Sequence, residues 1–292
     1  MLLFFLFNSI CFEQTNIALS RQMAKILTKL IPSFQQELAI FAIKSNKKNM
    51  KRAIIIGATS GIGQEVARIW ASRGWKLGIA GRREEALLRF QAGYPAGQVE
   101  VQPLDVTHDD APQRLDELIA RLGGMDLFFL SSGIGSQNPE LQPTVELATA
   151  ATNTVGFIRL TTAAFHYFKA HGGGHIAVIS SIAGTKGLGS APAYSATKRF
   201  QNTYIEALDQ LARMQKLPIR FTDIRPGFVA TDLLKGGRYP MLMQAPRVAT
   251  HIVKAIDRRR PVAVIDGRYR LLVFFWRIIP RWLWVRLPVR NR

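Results

Sequence analysis

From residue 51 onward, short apolar runs alternate with stretches in which apolar side chains return every three to four positions. The runs at 53–56, 76–80, 99–104, 127–130, 175–179, 219–224 and 262–265 read as strands. Between them, 63–72, 111–122, 145–170 and 193–215 read as helices. Strand–helix alternation of this kind predicts an α/β fold, a single doubly wound parallel sheet flanked by helices. No repeat or low-complexity segment interrupts it.

The first fifty residues follow another pattern. The apolar run at 2–7 is far short of the ~20 residues needed to cross a bilayer. No basic residue precedes it, so it does not read as a secretory signal. Residues 24–43 have amphipathic spacing and 44–49 read as a polar linker. Residues 1–49 are therefore an extension, either an over-extended start or a membrane tether. The functional domain is expected over 50–267, with a tail at 268–292.

Composition narrows the class. Of 292 residues, 48% are hydrophobic and 20% charged, which excludes a disordered chain. The single cysteine, Cys11, excludes an internal disulfide framework and a cysteine-based zinc site, and no metal is expected. The net charge of +19 is concentrated late: residues 247–292 carry 12 basic and 2 acidic side chains. There Leu271, Leu272, Phe274, Phe275, Trp276, Ile278, Ile279, Trp282 and Trp284 interleave with arginines. Such a mixture suits a lipid headgroup boundary better than a nucleic-acid groove, and no nucleic-acid partner is expected. On one helix, Arg270, Arg277 and Arg281 would share a face, provided Pro280 did not break it. The rival reading packs the tail on a partner subunit or over the cleft. The expected location is cytoplasmic, with peripheral membrane contact through the tail.

Two segments carry candidate chemistry. Gly57-Ala58-Thr59-Ser60-Gly61-Ile62-Gly63 follows the first strand and opens a helix, the Rossmann-type turn whose amides and helix dipole face a pyrophosphate. After the second strand, where an NAD site usually has a carboxylate, stand Arg82 and Arg83. An arginine pair suits a 2′-phosphate, so NADP(H) is the expected cofactor. Tyr194 and Lys198 are four apart, on one helix face, and Ser181 lies thirteen positions upstream at a strand end. A neighbouring ammonium should lower the phenol pKa toward neutrality, and a serine hydroxyl can hold a developing oxyanion.

Across 51–265 the sequence resembles the short-chain dehydrogenase/reductase family. The resemblance rests on Gly57–Gly63, Asp105-Val106, Asn153 with Gly156, Ser181, Tyr194 with Lys198, and Arg225-Pro226-Gly227 with Thr231. It implies Tyr194 as acid/base, Ser181 polarising the carbonyl, and Lys198 holding the ribose and tuning Tyr194. Asn153 would anchor a water of the proton relay. Asp105 and Val106 would contact the adenine, and Thr231, after the Pro226-Gly227 turn, the nicotinamide amide. A homo-oligomer is also implied. One departure is Leu130-Ser131-Ser132-Gly133 in place of Asn-Asn-Ala-Gly, where Gly133 still admits the cofactor.

The segment 232–243, with Gly236 and Gly237 as hinges, is expected to be the substrate loop. Met241, Leu242 and Met243 would be either an apolar wall for a long-chain substrate or ordinary packing. The expected activity is NADPH-dependent reduction of a keto group on a small molecule or lipid, such as a 3-ketosphinganine-like or 3-oxoacyl chain. The alternatives are an oxidising alcohol dehydrogenase or a non-catalytic dinucleotide-binding protein that docks on membranes or partners.

Overall fold

The computed structural model describes residues 51–234 and 239–289. The extension at 1–49, with its amphipathic stretch and linker, and the hinge glycines Gly236 and Gly237 lie outside the described residues.

Seven parallel strands form the sheet: β1 (Arg52–Ile56), β2 (Lys76–Gly81), β3 (Val99–Pro103), β4 (Leu127–Leu130), β5 (Gly174–Ile179), β6 (Ile219–Pro226) and, at its far edge, a strand at Val262–Ile265. Their spatial order is β3-β2-β1-β4-β5-β6 and then 262–265, all pairs parallel. The order reverses between β1 and β4, whose registered ends are Ile56 and Leu130. Such a switch point opens a crevice beyond the strands' carboxyl ends.

The helices cover both faces. They are α1 (Gly61–Ser72), α2 (Glu84–Gln91), α3 (Ala111–Leu122), α4 (Pro143–Ala150), α5 (Phe157–Ala170) and α6 (Pro192–Met214), then α7 (Ala245–Asp257), α8 (Gly267–Ile278) and α9 (Arg281–Trp284). In β1, Ala53 and Ile55 face one core with α1, α7 and α8, whereas Ile54 and Ile56 face the other with α3, α5 and α6. Because both faces are covered, β1 reads as an unbroken apolar run. Trp70 of α1 is fully buried, stacked on Trp75 and edge-on to Phe129 of β4, at centroid separations of 5.2 and 5.5 Å. Local chemistry sets several boundaries: Gly123 ends α3 in the left-handed region (φ 78°), and prolines open α3, α4, α6 and α7 in their first turn.

Two expectations change in detail. The helix expected over 145–170 runs from Pro143 to Ala170 but widens into a π-turn over Ala151–Gly156. Side-chain periodicity does not register such a widening. A two-residue parallel pair, β7 (Val229–Ala230) with β8 (Met243–Gln244), closes the base of the expected substrate loop.

The segment 268–289 packs on the domain. Asp266 caps α8 by accepting the Arg268 N–H at 3.0 Å. Tyr269 and Val273 are buried in the core shared with α1 and α7. Pro280 breaks the helix, so Arg281 begins α9 and does not continue the arginine row of α8. Trp284 is buried and donates its indole N–H to the Gly187 carbonyl at 2.8 Å, while Lys186 donates to the Ile279 carbonyl at 2.8 Å. The tail thus lies against its own chain beside the loop after β5. Phe274, Phe275, Ile278 and Trp282 remain exposed. No described helix is long and apolar enough to cross a membrane.

Candidate active site

The turn after β1 cannot tolerate side chains at its glycines. Gly57 has φ +88°, and a Cβ there would meet the Ser132 nitrogen at 2.6 Å. Gly61 has φ +57°, and a Cβ on Gly63 would overlap the Gly57 carbonyl. The first amides of α1 have no intrahelical acceptor, and Ser60 at the N-cap places no side-chain bond on them. An outward-facing row of unpaired amides is what a phosphate requires. The methyl of Thr231 stands 3.0 Å from the Cβ position of Gly61, so the β6-side loop reaches the same turn.

Arg82 and Arg83 are exposed at the end of β2. The Arg83 guanidinium donates to the Thr59 hydroxyl at 3.1 Å and pairs with Asp232 at 3.8 Å, holding it over the glycine turn. Asp105 accepts the Thr107 N–H and hydroxyl at 2.9 and 2.7 Å. Burial pushes its carboxyl up, but those bonds and the Arg82 charge prevail and hold it below its usual value. Val106 is buried beside the Gly156 backbone, and its carbonyl accepts from Arg159 at 3.0 Å.

The Ser181–Tyr194–Lys198 set converges at the ends of β4 and β5. Ser181 is buried, and its oxygen accepts the Ala183 N–H at 3.1 Å. Lys198 is 4% exposed, its ammonium 5.8 Å from the Tyr194 ring centroid. The ammonium donates to the Ile179 carbonyl and the Gln201 amide oxygen, each at 3.0 Å. Burial lowers its pKa to about 8, against a smaller upward pull from Asp223. Tyr194 differs from the expectation. Burial raises its phenol pKa, with only a Ser181 hydrogen bond pulling downward. A lysine committed to Ile179 and Gln201 does not bring the phenol toward neutrality.

Asn153 is completely buried in the π-turn. Its side-chain oxygen accepts the Ile134 N–H at 2.9 Å, and its amide donates to the Ile134 carbonyl at 2.7 Å. It therefore clamps the loop that follows Gly133, whose Cβ position lies 3.3 Å from the Asn153 oxygen and 3.5 Å from the Lys198 ammonium. Ser131 is held by its backbone, which donates to the Ile56 carbonyl at 2.8 Å. Among the described residues, neither the Ser131 nor the Ser132 hydroxyl makes a hydrogen bond. Pro226 accepts a long contact from Ser181 at 3.5 Å, and Gly227 lies against the Tyr269 ring so closely that a Cβ would overlap it.

Three participants escaped the sequence reading. Gln201, 1% exposed, links the Lys198 ammonium to the Asn153 backbone carbonyl, to which it donates at 2.8 Å. Its position three residues past Lys198 was the available signal. Gly135 abuts the Tyr194 ring with no room for a Cβ. Glu146 of α4 accepts the Ala193 N–H at 2.9 Å, capping the helix that carries Tyr194. These last two depend on tertiary approach, which no local spacing encodes. Of the loop methionines, Met243 lies in the core and Met241 packs on it, so packing accounts for both. Among the described residues, no cluster of His, Cys, Asp or Glu could hold a metal.

A family model described as short chain dehydrogenase matches residues 51–239. An uncharacterized oxidoreductase of Mycobacterium tuberculosis is 30% identical over 250 residues, spanning 83% of this chain and 96% of the relative. Dehydrogenase/reductase SDR family member 7B of Bos taurus is 27% identical, over 80% of this chain and 79% of the relative. Among solved structures, a short chain dehydrogenase from Burkholderia cenocepacia in complex with NADP aligns with a TM-score of 0.71 at 18% identity, over 82% of this chain and 98% of that one. A Burkholderia phymatum homologue in complex with NAD aligns with a TM-score of 0.70 at 22% identity, over 83% and 96%. At such identities the two structures speak to the fold.

Proposed function

The chain belongs to the short-chain dehydrogenase/reductase family, and from that footing we propose that it is an NADPH-dependent oxidoreductase that reduces a keto group to a secondary alcohol. The observation that carries this reading is the convergence of Ser181, Tyr194 and Lys198 beside a glycine-only turn at the switch point of the sheet. The residues fit a dinucleotide: free amides of α1 for the pyrophosphate, Arg82 and Arg83 for a 2′-phosphate, and Thr231 beside the turn. When bound, the reduced nicotinamide supplies a hydride to the carbonyl carbon.

The chain supplies the proton and the positioning. Tyr194, its pKa raised by burial, is protonated at neutral pH and gives its hydroxyl proton to the carbonyl oxygen. Ser181 hydrogen-bonds the same oxygen as its charge grows. Lys198, with a pKa of about 8, is an ammonium near neutrality, placed 5.8 Å from the Tyr194 ring to hold the cofactor's ribose. Gln201 holds that ammonium, and Asn153 holds the loop after Gly133. Chemistry of this kind works in either direction, and the two arginines favour the reductive cofactor.

An apolar, long-chain substrate is supported by the exposed Phe274, Phe275, Ile278 and Trp282 on a tail packed beside the loop after β5. The helix that exposes Phe274, Phe275 and Ile278 also carries Arg270 and Arg277, which suits peripheral contact with an anionic lipid surface. Titration of NADPH and NADH by fluorescence, followed by a panel of short ketones and long-chain 3-keto lipids, tests the reading. NADPH should bind more tightly and the long-chain ketones turn over. Tighter NADH binding overturns the cofactor assignment, and short ketones reduced as well as long ones overturn the lipid assignment.

A further inference from the structure

A cavity lies outside the catalytic cluster. It has a volume of about 420 Å³ and sits between α6, the loop after β5, β6 and the end of α8. That is within the ordinary range for small-ligand pockets, roughly 300–1,000 Å³. Tyr194, Lys198 and Gln201 project from one face of α6. Arg199, Asn202 and Glu206 point about 120° away at 100° per residue. The cavity is thus distinct from the expected substrate cleft.

Its lining is strongly cationic. Lys186, Arg199, Arg225 and Arg277 face a single acid, Glu206. Arg225 is spent on buried Asp223, at 2.6 Å. Lys186 is held by the Ile279 carbonyl and the Trp284 ring, neither of which cancels its charge. Among the described residues, neither Arg199 nor Arg277 has a hydrogen-bond or ion-pair partner. Like charges gather this way at a cost unless an anion completes the cluster.

A second observation is independent of charge. Asn202 belongs to the lining and is 5% exposed, yet neither its amide nitrogen nor its oxygen has a hydrogen-bond partner. The Thr185 hydroxyl, also in the lining, is buried and unpartnered as well. Buried polar side-chain atoms are almost always satisfied, so these orphans at the wall of a cationic cavity mark a polar guest. Two guanidiniums, an ammonium, an amide and a hydroxyl form the donor set of a tetrahedral oxyanion.

We propose that this cavity binds a phosphate group, with Arg199 and Arg277 as its forks and Asn202 and Thr185 as donors from the wall. The phosphate is carried either by an anionic phospholipid or by a free phosphorylated metabolite. Arg277 projects from the helix that exposes Phe274, Phe275 and Ile278, so a headgroup seated here would leave its acyl chains against that apolar face. The site does not depend on the dehydrogenase reading, because its occupancy is measured without turnover.

The test uses the full chain, the Arg199→Ala/Arg277→Ala variant, and a charge-matched Arg89→Ala/Arg213→Ala control from remote surface positions. Inorganic phosphate is titrated by calorimetry, and flotation is measured with vesicles of phosphatidylcholine alone or with phosphatidic acid. Phosphate binding that weakens roughly tenfold in the cavity variant and holds in the control supports the site with a soluble ligand. Flotation with phosphatidic acid that is lost in the cavity variant alone supports the site with a lipid ligand. NADPH affinity should be unchanged in every variant, whatever the catalytic role. No binding in either arm, or equal losses in cavity and control variants, overturns the proposal. Should the double variant unfold by circular dichroism, the single Arg199→Gln and Arg277→Gln variants give the same comparison.

Discussion

Replacing Tyr269 with Phe removes one oxygen and tests how the end of the chain governs the substrate loop. The Tyr269 hydroxyl accepts the Phe228 N–H at 3.1 Å and lies 3.0 and 3.1 Å from the Pro240 and Met241 carbonyls. It therefore ties both sides of the 229–242 loop to α8. The ring is fully buried, so phenylalanine keeps the packing and deletes only the bonds. An orphaned buried backbone donor costs about 1–3 kcal/mol. For a domain of this size each kcal/mol shifts the melting midpoint by roughly 2–4 °C, so a loss of about 2–12 °C is expected. Hydrogen exchange locates the effect: the Phe228 amide should lose protection while amides of β1 and β4 keep theirs. An unchanged Phe228 amide together with an unchanged midpoint refutes the clasp.

Other consequences follow from the same geometry. Burial holds the His175 imidazole pKa down at about 4, with smaller contributions from Arg259 and Arg220, so the neutral ring is the folded form. Its contribution to stability is complete above pH 6.5 and disappears as pH falls toward 4, up to about 3 kcal/mol; in urea melts, His175→Gln should show a smaller loss between pH 7 and 4.5 than the parent. Gln201→Leu removes an acceptor from the Lys198 ammonium, so the limb of the kcat/KM pH profile set by Lys198 should move to lower pH, whereas Gln201→Glu should move it higher. If both substitutions only lower stability and leave the limb in place, Gln201 has no part in positioning. Gly63→Ala forces a Cβ into the Gly57 carbonyl and should weaken NADPH binding at least roughly tenfold while the fold survives; wild-type affinity in that variant would mean that the turn is not the phosphate cradle.

How far the molecule could be read from its sequence depended on where each signal resides. The apolar run of β1 and the Tyr194–Lys198 spacing are local, and the structure builds both as read. The π-turn at Asn153 is one widened turn inside a long helical pattern, too short to read from side-chain spacing, and its Asn153 carbonyl accepts from Gln201. Gln201 lay on the catalytic face by simple helical spacing, but a buried glutamine has no chemistry to announce it. Tyr269 sat among arginines and aromatics that resembled a surface helix, and only the return of α8 to the sheet revealed a core residue. The direction of the Tyr194 pKa shift was misjudged for a related reason. Spacing shows that a lysine is near, but not that its ammonium is already committed to Ile179 and Gln201.

The central claim is that the Tyr194 hydroxyl supplies the proton that accompanies hydride transfer. Single-turnover consumption of NADPH by Tyr194→Phe, at saturating cofactor and a ketone the parent reduces, measures it directly. The account predicts a rate lower by about 10²–10⁴-fold with NADPH affinity within about twofold of the parent. A Tyr194→Phe protein that consumes NADPH at the parental rate would contradict it.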